Sequence, residues 1–177
     1  LSLQQNGALN EAEQLYRQIL ETTPQNADVL NLPGLIAQTR GLHREAVGYF
    51  YRAADSAPKH FPIFFNLGIS LAACGQLVEA AEACRKALQL KPDLKEAYVV
   101  LGNIYWQQKD LTAAAQAFQN ALNLDKTYFE AAVNLAELQN DKTTLQKLAD
   151  TNPREPKPLY YLGRREFADG NYDTAAA

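Results

Sequence analysis

Two histidines, His43 and His60, and two cysteines, Cys74 and Cys84, are the residues of this chain best suited to nucleophilic or metal chemistry. A nucleophile needs a base in a recognisable motif, and a zinc site needs about four ligands of these types. No histidine stands at ligand spacing from a cysteine, and no serine or cysteine motif accompanies a histidine. We therefore expect surface histidines, reduced thiols that pack as small apolar side chains, and no catalytic or metal site.

Phosphate-binding and acid–base motifs are also missing from the sequence. The glycines form no G-x-G-x-x-G pattern and no Walker lysine follows them, so no nucleotide cradle is predicted. Carboxylates such as Glu79, Glu82 and Asp110 fall on predicted helix or turn surfaces, where solvation explains them. The sequence predicts no cofactor and no enzymatic activity of its own.

Composition narrows the classes of partner. The 177 residues are 47% hydrophobic and 21% charged, with a formal net charge of −3, as in an ordinary globular protein. This balance disfavours a nucleic acid or an anionic membrane as the partner, and a helical RNA-binding repeat is weakened for the same reason. No apolar run approaches the roughly 20 residues that span a bilayer. The two unpaired thiols favour a cytoplasmic protein.

The elements that position all these residues follow from an internal repeat. Alanine, glycine, proline and large apolar residues each recur every 34 residues along the chain. The series that share this interval are Ala12, Ala46, Ala80 and Ala114; Gly7, Gly41 and Gly75; Gly34, Gly68 and Gly102; Pro24, Pro58 and Pro92; and Leu30, Phe64 and Tyr98.

Each repeat unit is predicted to be an antiparallel pair of helices. In the unit 61–94, apolar residues recur at helical spacing on a first helix, A, which Gly75 ends, and again on a second helix, B. Gly68 on helix A and Ala80 on helix B are small, so the two helices can pack about 8 Å apart. A hairpin with one apolar side must stack on its neighbours.

Within one such unit the residues follow the order large-x-x-Leu-Gly-x-x-large, Gly, Ala, aromatic, Ala and Pro. This order resembles the tetratricopeptide repeat. This resemblance covers nearly the whole chain and implies an all-α fold, a right-handed α-solenoid of antiparallel helix hairpins. The chain is then one solenoid fragment: a partial repeat 1–26, repeats 27–60, 61–94 and 95–128, a shortened repeat 129–155 and a truncated repeat 156–177.

Three departures from the repeat carry expectations of their own. Pro33 lies inside helix A of its unit and predicts a kink or a late helix start. The unit 129–155 is seven residues shorter than the unit before it; we place the missing residues in the middle of the hairpin, with helix A ending near Asn140 and helix B before Pro153. Both chain ends cut through repeats, so end-to-end self-association through the cut faces is expected.

The resemblance implies that partners lie in a concave groove lined by the A helices. Residues that flank the packed stripe of each helix A are the candidates, namely Asn31 and Leu35; Phe65, Asn66 and Ile69; Val99, Asn103 and Trp106; Val133, Asn134 and Glu137; and Tyr160, Tyr161 and Arg164. An asparagine amide can pair with any peptide backbone, and aromatic rings supply apolar anchors. Alternatively, rings such as Phe65 pack between adjacent helices and meet no ligand.

Two variants of the family offer further comparisons. The carboxylate clamp of chaperone-binding domains is similar at Asn103, Asn134 and Lys157, but Val99 and Tyr161 replace two of its members, so we do not expect a working clamp. The asparagine ladder of O-linked N-acetylglucosamine transferases is similar at Asn66 and Asn134 and displaced at Asn31 and Asn103.

The sequence therefore favours a non-catalytic scaffold that binds a protein or an extended peptide. The opening stretch, residues 7–20, also resembles N-terminal repeats of bacterial proteins with a transferase domain downstream. The alternative function is thus an N-terminal substrate-recruiting repeat domain of a larger glycosyltransferase- or methyltransferase-type enzyme.

Overall fold

The structure is a computed structural model that describes Leu15, Gln18, Ile19, Thr22 and residues 27–168. In the range 27–168 it has nine α-helices and no strand. They are α1 Ala27–Thr39, α2 His43–Ser56, α3 Phe61–Ala73, α4 Leu77–Leu90, α5 Lys95–Gln107, α6 Leu111–Leu124, α7 Phe129–Gln139, α8 Lys142–Thr151 and α9 Lys157–Ala168. Repeat positions before residue 27, such as Ala12 and Pro24, and those after 168 that bear on self-association, lie outside the described residues.

Consecutive helices pair into hairpins, α1 with α2, α3 with α4 and α5 with α6, and each hairpin packs on the next. The odd-numbered helices are the predicted A helices, and α1 contacts α3, α3 contacts α5 and α7 contacts α9. The buried side chains form a continuous core through the first three hairpins that includes Leu30, Phe50 and Ile63. A second core cluster around Phe118 joins α5, α6 and α7.

The small residues on the A helices decide how closely each hairpin closes. A Cβ added to Gly34 would lie 2.6 Å from the Phe50 ring, and one added to Gly102 would lie 2.5 Å from the Phe118 ring. In the middle hairpin the residue opposite Gly68 is Cys84, whose Sγ would lie 2.5 Å from such a Cβ. In each of these three hairpins helix B therefore inserts a side chain against bare helix A backbone.

Every turn between an A helix and its B helix contains one residue in the left-handed region. These residues are Gly41, Gly75, Lys109 and Asn140, with φ of 76°, 78°, 67° and 61°. After α5, for example, the N–H of Lys109 donates to the Trp106 carbonyl and the N–H of Asp110 donates to the Tyr105 carbonyl, both at 3.0 Å. This is the Schellman pattern, in which two orphan carbonyls at the helix end are satisfied by the main chain.

Pro33 does not delay the start of α1. The helix is continuous from Ala27 to Thr39 with the proline inside it, so the predicted late start is wrong. Pro33 is buried, and packing of its ring within the hairpin offsets the roughly 3 kcal/mol that an interior proline costs. The kink at this position stays a prediction.

The shortened unit loses residues at two places. Helix α7 ends at Gln139 with Asn140 as its cap, and α8 ends at Thr151, close to the predicted ends. Asp141 caps α8 as Asp110 caps α6, but it comes three positions earlier than the repeat interval requires. Three of the missing residues thus come from the middle of the hairpin. The other four come from the end of α8, which has 10 residues where α6 has 14, so the expectation that all seven leave the middle is wrong.

Candidate functional site

A groove of about 510 Å³ opens between the three A helices α5, α7 and α9. Side chains from all three helices and from the turn after α5 line it: Asn103, Trp106, Gln107, Lys109, Asn134, Lys157, Tyr161 and Arg164. Five of the predicted groove residues are therefore brought together here, namely Asn103, Trp106, Asn134, Tyr161 and Arg164.

Two asparagine amides are joined in the floor of this groove. The Asn134 Nδ2 donates to the Asn103 Oδ1 at 3.0 Å, which links α7 to α5. Asn134 is only 1% exposed, whereas Asn103 is half-buried. The bond fixes the orientation of both amides and leaves the amino group of the half-buried Asn103 for another partner.

Trp106 serves both the groove and the core. Its ring meets the edge of the Phe118 ring in a T-shaped arrangement, with centroids 6.3 Å apart and planes at 76°. The same residue is half-buried and lines the groove. The packing against Phe118 holds the indole in place, so an apolar anchor is already ordered before any ligand arrives.

Tyr161 closes the opposite side of the groove from α9. Burial raises the pKa of its phenol, and the negative charge of Glu137 raises that pKa further. The hydroxyl therefore stays protonated and available as a donor at neutral pH. Tyr160 is its exposed neighbour, with the ring centroids 5.6 Å apart, and the Arg164 guanidinium lies 5.8 Å from the Tyr160 centroid.

Polar contacts add to the apolar packing of α9 on the buried cluster of α7 and α8. The Arg165 Nε donates to the Glu137 Oε2 at 3.1 Å, and the same guanidinium donates to the Glu137 carbonyl and to the Asn140 Oδ1. The Lys142 Nζ pairs with the Glu166 Oε1 at 3.0 Å, which joins α8 to α9. These contacts position the α9 side of the groove, and they neutralise the buried Glu137 carboxylate.

Several predicted groove residues lie elsewhere. Val99 is 2% exposed in the core cluster with Ala114 and Phe118, and Val133 is fully buried, so neither side chain offers a surface to a partner. Val99 packs with side chains of α6 and α7, and Val133 packs with side chains of α8 and α9. Phe65 and Leu35 are half-buried and pack against the first core cluster.

The upstream A helices carry the remaining candidates, Asn31, Asn66 and Ile69, which are half-buried and do not line this groove. The Asn31 Oδ1 is buried without a hydrogen-bond partner among the described residues. The Gln38 Nε2 donates to the Asn66 carbonyl at 3.1 Å and to the Ser70 Oγ at 2.9 Å, which ties α1 to α3. Here the amide bridge comes from a glutamine, and the Asn66 contribution is made by its backbone.

Three lining residues, Gln107, Lys109 and Lys157, were not among the predicted site residues. Lys157 is indicated by the sequence only through its similarity to a member of the carboxylate clamp. Lys109 had a signal that could have identified it, since this lysine stands one repeat interval after Gly75, in the glycine register of the turns. Gln107 lies four residues after Asn103 and therefore on the same face of α5, a spacing that could also have identified it.

The cysteines are free thiols, as expected from the sequence, with Cys74 half-buried and Cys84 fully buried in the slot that aromatic residues fill in the neighbouring units. Burial raises the pKa of the Cys84 thiol to about 12. Within the described residues no helix is long and apolar enough to cross a membrane.

The stacked hairpins and the open groove between their A helices define a helical-repeat protein. Three family models described as Tetratricopeptide repeat match residues 1–61, 61–94 and 95–128. The chain belongs to the tetratricopeptide repeat family, and the predicted all-α solenoid is confirmed.

Relatives of known identity are much longer than this chain. It is 30% identical over 117 residues to the human Protein O-mannosyl-transferase TMTC3, which covers 61% of the chain and 13% of that protein. It is 30% identical over 111 residues to the Hsp70-Hsp90 organizing protein of Triticum aestivum, with coverages of 63% and 19%. It is 30% identical over 138 residues to a probable UDP-N-acetylglucosamine–peptide N-acetylglucosaminyltransferase, SPINDLY, of Hordeum vulgare, with coverages of 74% and 15%. The chain therefore spans less than a fifth of each of these relatives.

Solved structures share the fold. A tetratricopeptide repeat protein from Parabacteroides merdae superposes with a TM-score of 0.85 at 20% identity, covering 97% of this chain and 71% of that one. The first repeat domain of Spaghetti (RPAP3), bound to the HSP90 peptide SRMEEVD, superposes with a TM-score of 0.63 at 22% identity, covering 66% of this chain and 92% of that one. At these identities the likeness establishes the architecture alone.

Proposed function

We propose that this chain is a non-catalytic scaffold that binds an extended peptide segment of a protein in the groove between α5, α7 and α9. The observation that carries the proposal is the groove itself, which the paired amides of Asn103 and Asn134 line together with the rings of Trp106 and Tyr161. A relative and a structural neighbour support peptide binding, since their names refer to chaperone assembly and to a bound HSP90 peptide.

The groove residues make two kinds of contact with the peptide. The amide of the half-buried Asn103, which the bond from the buried Asn134 orients, pairs with the peptide backbone, which every sequence offers, so it gives affinity without selecting side chains. Trp106 and Tyr161 accept apolar side chains of the segment, and such rings dominate the free energy of most interfaces. The A-helix groove, rather than a reactive group, then determines what the chain does.

Selection from a phage-displayed library of random dodecapeptides tests this function, with binding of the selected peptides measured by fluorescence anisotropy. Trp106→Ala should weaken binding by about 2 kcal/mol or more if the indole is an anchor. Tyr51→Ala is the matched control, because Tyr51 is a 46% exposed aromatic residue on the B helix α2 and does not line the groove.

Circular dichroism of both variants separates binding from folding. Trp106→Ala should keep its helical signal at the assay temperature while it loses the peptide. A variant that unfolds in proportion to its loss of binding would place Trp106 in the core alone, and an affinity equal to that of Tyr51→Ala would contradict the proposed groove.

A second candidate function is a substrate-recruiting arm of a larger transferase. Its support is that two of the relatives are named as glycosyltransferases, of which this chain matches 13% and 15% of the length. The coding sequence on either side of this chain decides between the two. A nucleotide-sugar or methyl-donor domain there supports the arm, and further repeats alone support the scaffold. A cytoplasmic location stays an expectation from the thiols.

A further inference from the structure

Lys109 occupies a backbone conformation that suits it poorly. The A-to-B turns of the three regular units carry Gly41, Gly75 and Lys109 at equal intervals, and all three have φ between 67° and 78°. A side chain in this region crowds the backbone, which glycine avoids. The capping bonds of the turn are made by main-chain atoms, so the lysine side chain adds nothing to the cap.

The ammonium of Lys109 belongs to a cationic rim. Lys109, Lys157 and Arg164 all line the groove, no carboxylate lines it, and none of the three forms an ion pair with another described residue. The chain as a whole has a net charge of −3, whereas the groove carries positive charge. Such a local reversal attracts and orients an anionic partner.

The spacing of the rim favours several carboxylates over one. Lys157 and Arg164 are seven residues apart on α9, which is about 10 Å along a helix, or about three residues of an extended chain. Lys109 faces them from the turn after α5. An extended segment with two or more acidic side chains can pair with cations spaced in this way along the groove.

We propose that Lys109 is a specificity-determining residue that pairs with an aspartate or glutamate side chain of the bound segment, so that the groove selects internal acidic stretches flanked by apolar anchors. This inference rests on the peptide-binding function proposed above. Backbone strain at a residue that lines a ligand groove is a recurrent mark of a functional position.

Three proteins compared in one selection test the inference. The probe is a phage library of random dodecapeptides fused through their C termini, so that no free terminal carboxylate is present. The proteins are the unaltered chain, Lys109→Gly and Lys126→Gly. The last makes the same change of charge at an exposed residue of the turn between α6 and α7, outside the groove.

The unaltered chain and Lys126→Gly should both enrich peptides with two or more acidic residues, and Lys109→Gly should lose the preference at one of these positions. A selected peptide should bind Lys109→Gly about threefold to fivefold more weakly, as for loss of one exposed ion pair. The salt dependence of its affinity should also become shallower. Lys109→Gly should nevertheless melt about 2 °C higher than the unaltered chain, because the strain is relieved.

The remaining outcomes overturn the inference in distinguishable ways. Selected peptides without acidic enrichment, or an acidic preference that survives in Lys109→Gly, leave the groove as a peptide site and remove the role of Lys109. A preference that emerges only from a second library with free C termini assigns the charge to a chain terminus and contradicts the proposal. An unaltered chain that enriches no peptide refutes the proposed function and this inference together.

Discussion

Replacement of Gly102 by alanine tests whether bare backbone on helix A sets the closeness of the hairpins. The new Cβ would lie 2.5, 2.7 and 3.0 Å from three atoms of the Phe118 ring, inside the distance that carbon atoms tolerate. Phe118 is fully buried and cannot swing into solvent, so α5 and α6 must separate or the ring must leave its preferred rotamer. Overpacking of this kind costs about 1–3 kcal/mol, against a gain of about 1 kcal/mol from replacing a helical glycine.

We therefore expect Gly102→Ala to lower the free energy of unfolding by up to about 2 kcal/mol. Gly48→Ala on α2 is the matched control, because an added Cβ there meets nothing within 4 Å. That variant should gain up to about 1 kcal/mol from helix propensity. Urea unfolding followed by far-ultraviolet circular dichroism measures both. The reasoning is refuted if Gly102→Ala is as stable as Gly48→Ala.

Two further expectations concern ionisable groups. Ellman's reagent at pH 8 should label Cys74 and spare Cys84, whose thiol is buried with a pKa of about 12. Both thiols should react in urea. Labelling of Cys84 in the native chain at the rate of Cys74 would contradict its burial. The hydrogen bonds from Lys95 and then from Thr127 lower the pKa of Asp125 to about 2 from 3.8, so its contribution to stability is present above pH 3.8 and is lost as the pH falls towards 2. Thermal melts of Asp125→Asn should show a smaller decline over this range than melts of the unaltered chain, and identical declines would show that this ion pair contributes nothing.

Much of the fold is predictable from the repeat interval, because the hairpins depend on local pairs of residues. Gly34 and Phe50 have the same separation along the chain as Gly102 and Phe118, and each pair determines one helix–helix contact. The shortening of the unit 129–155 is also visible in the sequence. The place of the missing residues was only half predicted, since the shortening of α8 leaves no mark in the register of the A helices.

The groove was harder to predict, because it depends on how neighbouring hairpins stack. Helical spacing identifies Val99 and Asn103 equally as flanking residues, yet one is buried against the next hairpin and the other lines the groove. Exposure at the edge of a packed stripe depends on the angle between adjacent units, which no single helix encodes. Lys109 likewise lines a groove that α9 completes, and α9 begins much later in the chain, at Lys157.

The shortened unit explains why the described groove lies between α5, α7 and α9. In the regular unit 95–128, Gly102 accepts the Phe118 ring. In the next unit the counterpart of Gly102, counted from the packed leucine, is Ala136. The counterpart of Phe118, counted from the helix B cap, is Ala149. No ring is seated here; α9 packs on the smaller apolar cluster of α7 and α8, and the guanidinium of Arg165 bonds it to the end of α7. The groove between α5, α7 and α9 therefore lies where a regular unit with a seated ring meets a shorter unit without one.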